Sequence, residues 1–282
     1  MIKLAGMVTL YNPTDEDIKN IDSYINDVDV LYVIDNTEGK DNKDRLPKNK
    51  KIKYFFKNEN VGVATALNEA ARMAIKDGYK YLLTNDQDTF FKKDVVKKMK
   101  EVIEKEDMKD VGIVVPWHNT KLLMKKVTNG YDYPETTMTS GNILILDVWK
   151  EVGGFIDWFF IDGIDIEYSL KIREHGYKIL RINSLEIDHN LGNIEYKKFL
   201  GTKHTISNHN YLRRYYIMRN NHYIFDMHKD FAPHICWNLI SQKPFFIEVI
   251  LFEKDKIRKI IAMLRGLRDY KKGVKGKYPY KK

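Results

Sequence analysis

The first ninety residues alternate short apolar runs with amphipathic segments, and this limits the fold more than any other feature of the chain. Residues 3–11 read as a strand, Asn12-Pro13 as a turn, and Thr14-Asp15-Glu16-Asp17 as a helix start running to about residue 26. Thr14 can cap the free amides of that helix, and the acidic residues suit the positive end of its dipole. Residues 28–34 then read as a second strand ending in Asp35-Asn36, and residues 52–56 as a third. In NENVGVATALNEAARMAIKDGYK, Val63, Ala66, Leu67, Ala70, Ala74 and Ile75 recur at helical spacing before Gly78 supplies the stop. Strand, loop and helix in succession predict an α/β fold with a parallel sheet and right-handed crossovers, a nucleotide-binding type of architecture. The first strand–helix turn lacks the Gly-rich loops of dinucleotide-binding and P-loop proteins, which argues against both.

The alternation leads to KYLLTNDQDTFF at residues 80–91. Its apolar start opens into Asn85, Asp86, Gln87 and Asp88, as for a buried strand emerging at the carboxyl edge of a parallel sheet, where ligands bind. Residues two apart in an extended segment point the same way, so Asp86 and Asp88 present two carboxylates to one point while Gln87 faces away. Such a pair suits Mg or Mn carrying a diphosphate; an ordinary acidic turn has the same letters.

Further on, residues 93–105 read as a helix, 111–115 as a strand, 119–139 as irregular, and 142–146 as another strand. The stretch EVGGFIDWFFIDGIDIEYSLKIREHGYKI makes a tight loop of glycines and aromatics, then a helix over 165–174 and a strand over 178–182. From about residue 205 the texture changes, and helices are expected near 211–227 and 254–270. The second sets Ile257, Ile260, Ile261, Leu264 and Leu267 against Lys256, Arg258, Lys259, Arg265 and Arg268. Such a helix suits a membrane surface, packing on the preceding domain, or a homodimer.

Charge sharpens that division. The 282 residues carry +9 overall, but residues 203–282 hold 18 Lys and Arg against 6 Asp and Glu, a net of +12, and the remainder is −3. Nucleic acid, an anionic membrane, a phosphate-bearing acceptor and plain solubility are the readings open to such a tail. The single Cys236 excludes an internal disulfide framework and a cysteine-based zinc site, and a reducing cytosol fits. The start MIKLAGMVTLYNP reads as a first strand and not a signal peptide, and no uninterrupted apolar stretch approaches the roughly 20 residues of a transmembrane helix.

Taken together, VTLYNP at 8–13, VIDNTE at 33–38, NENVGVATALN at 58–68, LTNDQD at 83–88, SGNILI at 140–145, VGGFIDWFFIDGIDIEYSLKIREHGYKI at 152–179, HNLG at 189–192 and YYIMRN at 215–220 resemble one family in order and spacing. The chain is similar to the inverting family 2 glycosyltransferases of GT-A fold, within them the rhamnosyltransferase-like branch that builds cell-surface polysaccharides. The resemblance implies a Rossmann-like catalytic domain over residues 1–204 with a mostly parallel sheet flanked by helices, followed by a helical, basic C-terminal region over 205–282. It implies that Thr9, Tyr11 and Asp35 lie around base and ribose, and that Asn60, Gly62 and Asn68 line the donor pocket. Asp86 and Asp88 match the DXD motif, with Asp88 and His189 as ligands of Mn2+ or Mg2+. Asp165 falls at the catalytic base, with Asp162 as its rival and Glu167 orienting the acceptor. Trp158 with Phe159 and Phe160 is expected either to form an acceptor platform or to pack in the core.

The chemistry agrees. Moving a sugar from a nucleoside diphosphate to an alcohol needs a cation for the departing diphosphate and a carboxylate within reach of the attacking hydroxyl, and one of each suffices for an inverting displacement. The resemblance implies dTDP-rhamnose as donor, with UDP-linked galactofuranose, glucose or galactose as alternatives. The acceptor is then a saccharide or lipid-linked saccharide at the cytoplasmic face of the cell membrane. A rival reading is an idle nucleotide-binding domain with a tail for membrane or nucleic acid.

Overall fold

The computed structural model describes residues 2–119, 129–188, 195–199, 202–241 and 243–280. The chain begins β1 (Ala5–Leu10), α1 (Asp15–Asn20), β2 (Val30–Asp35), β3 (Ile52–Phe56), α2 (Val63–Lys76), β4 (Tyr81–Asp86). It continues through β5 (Phe90–Phe91), α3 (Val95–Lys105), β6 (Val111–Asn119), β7 (Tyr131–Asp132), β8 (Asn142–Ile145), α4 (Leu146–Glu151), α5 (Ile164–Glu174) and β9 (Lys178–Asp188). A separate two-stranded ladder, β10 (Glu195–Phe199) with β11 (Thr202–Ile206), leads into α6 (Tyr211–His228), α7 (Pro233–Ile240), α8 (Lys243–Phe252) and α9 (Lys256–Lys271).

The main sheet runs β3-β2-β1-β4-β8-β6-β9-β5, with β7 added on β9. Strands β1 to β4 are mutually parallel, as the alternation predicts, and β6 and β9 are parallel as well. β8 runs antiparallel to both its neighbours. Side-chain alternation divides the core between the two faces of the sheet. Ala5, Met7, Tyr32, Ile34 and Leu82 face the side covered by α2, α4 and α5, whereas Val8, Leu10, Leu31, Val33 and Leu83 face α1 and α3.

Local chemistry sets the helix ends. Thr14 Oγ1 accepts from the Asp17 N–H at 3.2 Å and Asp17 Oδ2 accepts from the Thr14 N–H at 2.7 Å, a reciprocal cap. The helix expected to reach residue 26 stops at Asn20, and a 3₁₀ turn over Ile21–Ser23 continues it. β9 extends to Asp188 because Trp117–Asn119 of β6 pair with Glu186–Asp188 across a register shift. That pairing is non-local, so the strand's own residues do not announce it.

The C-terminal region is helical, and β11 straddles the boundary expected at 204/205. α9 crosses α6 backbone to backbone: a Cβ on Gly266 would come within 2.5 Å of the Tyr215 carbonyl, so only glycine permits the approach. Buried Arg214 of α6 pairs with Glu253, which also meets Lys259 of α9 at 2.8 Å. Lys259, read from sequence as part of a basic solvent face, is therefore an internal partner. Pro233–Phe252 is long and apolar enough to cross a membrane by length and composition, with mean hydropathy 1.3. His234, Asn238, Lys243 and Glu248 interrupt its apolar run, and the structure divides it at Ser241 into α7 and α8.

Candidate active site

β1 and β4 end side by side, with Thr9 opposite Asp86. Both fall in the alternation phase of Met7 and Leu82, so they point to the α2–α5 side of the sheet. Thr9 Oγ1 is buried and makes no hydrogen bond among the described residues, and the same holds for Asn36 Oδ1 at the end of β2. Two orphaned oxygens at the carboxyl edge fit a ligand that brings its own donors. Gln87 turns the opposite way, accepting from the Tyr11 N–H at 2.8 Å and donating to Asp17 Oδ2 at 3.2 Å. Asp86 and Asp88, on either side of it, remain half-buried with access to solvent, and Tyr11 stands exposed at the rim. Ser140 supports this edge: its hydroxyl accepts from the Asp86 N–H at 3.1 Å, and its carbonyl accepts from His118 Nε2 at 2.6 Å.

A strained loop approaches from the α5 side. Phe160 sits at φ 68°, ψ −62°, and the Ile161 N–H donates to the Phe159 carbonyl at 2.8 Å, the geometry of the rare positive-φ γ-turn. Asp162 follows at φ 63°. Such backbone persists only when its surroundings over-determine it, and α6 does so. Fully buried Asn220 donates from Nδ2 to the carbonyls of Phe159, Ile161 and Asp162 at 3.0, 2.9 and 2.8 Å. Neighbouring Arg219 donates to the Trp158 carbonyl at 3.0 Å and to that of Gly276 at 2.6 Å.

The loop feeds into α5, which carries Asp165 in its first turn. Asp165 is half-buried, and its Oδ1 accepts from the Ile166 N–H at 2.9 Å. Burial raises its carboxyl pKa above the ordinary aspartate value; the Ile166 bond opposes the rise, nearby Asp162 adds to it and Arg213 opposes it.

Arg213, absent from the sequence-derived candidates, joins the two halves of the site. It lies in the first turn of α6, whose start is fixed by Asn210 Oδ1 accepting from the Arg213 N–H at 3.0 Å. Its Nε donates to both oxygens of Asp162, at 3.0 and 3.2 Å, while 40% of its side chain stays exposed. Burial works against the guanidinium charge, but the fields of Asp162, Asp165 and Asp86 outweigh it and hold the pKa above its usual value. One cation thus feels the DXD carboxylate and the α5 carboxylate together.

Several expected residues are placed elsewhere. Asp35 falls in the phase of Leu31 and Val33 and points to the far face. There it is fully buried, accepting from the Thr37 N–H, Asn42 Nδ2 and Tyr54 Oη at 2.9, 2.9 and 2.6 Å. It braces the following loop, and Asn36 occupies the site side, donating from Nδ2 to the Gly62 carbonyl at 3.3 Å. Glu167 stands two helical positions from Asp165, hence on the opposite side of α5. It is buried against Lys171 at 3.0 Å and His228 at 3.7 Å and does not share the space of Asp165. Asn68 is likewise buried, with Nδ2 donating to the Phe155 carbonyl at 2.8 Å and to Asp157 at 2.6 Å, so it clamps the loop.

Trp158 is half-buried, edge-on against Phe159 and Tyr223 with Lys275 over its ring, contacts that favour the packing alternative over a platform. Asn60 Oδ1 accepts from the Gly62 N–H at 3.0 Å and shapes the turn into α2. Gly62 is needed for a different approach than expected: it has φ +88°, and a Cβ there would lie 2.7 Å from the Phe160 carbonyl. Gly62→Ala should cost at least about 2 kcal/mol through backbone strain and overpacking against this loop, readable by urea denaturation. His189 lies outside the described residues.

Among the described residues no three Asp, Glu, His or Cys side chains form a cluster for a metal ion. The donor set the chain offers is Asp86 and Asp88, two hard carboxylates at a solvent-reachable strand end. That suits a cation such as Mg2+ or Mn2+, which is held by one or two carboxylates and completes its shell with phosphate oxygens and water.

The geometry agrees with what comparison shows. S. aureus TarS 1–349, crystallised with UDP-GlcNAc, superposes with a TM-score of 0.57 at 12% identity over 97% of this chain and 82% of that one. GalNAc-T7 with UDP, GalNAc and Mn2+ gives 0.55 at 14% identity over 71% of this chain, which spans 45% of that protein. Both share the GT-A fold seen here. The dTDP-rhamnosyl transferase RfbF of Shigella flexneri is 26% identical over 294 aligned residues, 94% of this chain and 95% of its own. Residues 16–159 match the family model for Glycosyl transferase family 2, a span that takes in the β4 carboxylates and the start of the strained loop. On that match and that fold, this chain belongs to glycosyl transferase family 2 and is a glycosyltransferase.

Proposed function

We propose that this enzyme moves rhamnose from dTDP-rhamnose, with inversion, onto a saccharide carried by a membrane lipid at the cytoplasmic face of the cell membrane. The observation that carries the reading is the Arg213–Asp162 ion pair at the carboxyl edge of the sheet, where the charges of Asp165 and Asp86 also act on the guanidinium. Thr9 Oγ1 and Asn36 Oδ1 are the oxygens available to the donor's base and ribose. Asp86 and Asp88 would hold Mn2+ or Mg2+, and the ion when bound would offset charge on the departing diphosphate. Asp165, with its raised pKa, takes the proton of the attacking hydroxyl from the face opposite the leaving group, which is the arrangement for a single inverting displacement. Arg213 offers a second positive charge to the diphosphate, at which point Asp162 is its alternative partner. The choice of dTDP-rhamnose is supported by the RfbF likeness over nearly the whole chain.

The test is release of nucleoside diphosphate from a panel of donors with Mn2+ present. Turnover of dTDP-rhamnose above UDP-galactofuranose, UDP-glucose and UDP-galactose is expected, and preferential turnover of a UDP-sugar would overturn the donor assignment. In parallel, dTDP should raise the melting temperature more with Mn2+ than with a chelator, by mass action. Equal shifts in the two conditions would remove the metal from the reading.

A further inference from the structure

Along α9, Ile257, Ile261 and Leu264 are 77%, 44% and 53% exposed, and their spacing of four and three residues aligns them in one stripe. The opposite face of α9 is already used, burying Ala262, Met263 and Gly266. α8 packs on α9 through Val249 and Met263 and adds exposed Ile247, Ile250 and Leu251. Beside the stripe opens a groove of about 420 Å³ whose lining includes the tyrosines 211 and 278, Ile257, Ile261, Arg258 and Arg265, with one acid, Asp255, at its edge, so that the arginines outnumber it two to one. Its two arginines differ from their neighbours in α6: Arg213 and Arg214 are ion-paired, whereas among the described residues Arg258 and Arg265 meet tyrosines. The Arg258 guanidinium lies 3.7 Å from the centre of the Tyr211 ring, and Arg265 donates to Tyr278 Oη at 2.8 Å. Rings fix the planes of these cations without neutralising them, leaving N–H groups for an oxyanion.

We propose that this groove and stripe form a docking site for a bilayer containing anionic phospholipid. A headgroup phosphate sits between Arg258 and Arg265, and Ile257, Ile261 and Leu264 enter the boundary between headgroups and acyl chains. The inference rests on the reading above, in which the acceptor is presented by a membrane, and it names the surface that reaches it. Charge selects this occupant over a second copy of the chain. A two-fold dimer sets a patch against itself, and here Lys254, Lys256 and Arg258 would face their own kind, with Asp255 as the one exposed acid on this segment. The groove is also continuous with the catalytic loop: the Tyr278 N–H donates to Tyr216 Oη at 2.7 Å, and Tyr216 stacks on Phe160 at 5.2 Å.

The experiment is flotation of the full chain with phosphatidylcholine vesicles made with and without phosphatidylglycerol. Binding is expected only with phosphatidylglycerol, and Arg258→Gln combined with Arg265→Gln should weaken it about 30-fold, each surface cation being worth about fivefold. Ile257→Ser with Leu264→Ser should weaken it as well, with an unchanged melting temperature because both side chains are exposed. Equal binding by the arginine variant and the parent, or equal binding to neutral vesicles, would overturn the proposal. So would a concentration-dependent dimer in sedimentation that the isoleucine–leucine variant dissolves. Release of dTDP from the donor in vesicle-free solution reads the catalytic assignment separately, so the two ideas fail independently.

Discussion

Asp165→Asn is expected to lower sugar transfer about 10³-fold, some 4 kcal/mol of barrier, while leaving dTDP affinity within a factor of about two. The amide keeps the shape of the side chain and can still accept from the Ile166 N–H, but it cannot take the proton of the acceptor hydroxyl. Folding should not suffer. A carboxyl whose pKa is raised in the folded state ionises less readily there than in the unfolded chain. Its charge therefore lowers stability as pH rises through and beyond the ordinary aspartate value, and removing it leaves the variant melting no lower than the parent at neutral pH. The same shift predicts that the acid limb of kcat/KM lies above that ordinary value, since the base must be ionised to act. Measured transfer by Asp165→Asn near the parental rate would move the role to Asp162.

Arg213→Ala is expected to cost about 10²–10³-fold in kcat, the range for removing one preorganised charge from a developing anion. Loss of this cation has a second signature that a purely structural residue would not give. Arg213 opposes the rise in the Asp165 pKa, so its removal should move the acid limb of kcat/KM to higher pH. Arg213→Lys keeps the charge without the two-pronged contact to Asp162 and should recover part of the rate and most of the pH position. A profile that stays in place in Arg213→Ala would show that the guanidinium does not act on the base.

Parts of the site were legible early for identifiable reasons. Asp86 and Asp88 stand at the end of an apolar run, and a two-residue period is a local property that also sends Gln87 away to Asp17. The cap at Thr14 and the stop at Gly78 are equally local, and both helix ends lie where those residues place them. The errors are of a different kind. Asp35 and Asn36 look interchangeable as letters, and only the phase of β2 in the sheet shows that Asn36 takes the site side. Glu167 resembles a partner of Asp165 until helical geometry turns it toward Lys171 and His228. Arg213, Arg219 and Asn220 lay unassigned in a tyrosine-rich stretch more than forty residues from the loop they serve.

Composition and periodicity along the chain determined the α/β alternation, the strand edge carrying two carboxylates and the basic C-terminal helices, because each depends on residues near in sequence. Tertiary packing alone decided that α6 reaches back to hold a strained loop and to pair one arginine with Asp162, within the fields of Asp165 and Asp86. The reason is physical: carbonyls turned inward at positive φ and carboxylates drawn together need donors, and the donors that meet them come from wherever the fold brings a buried helix face.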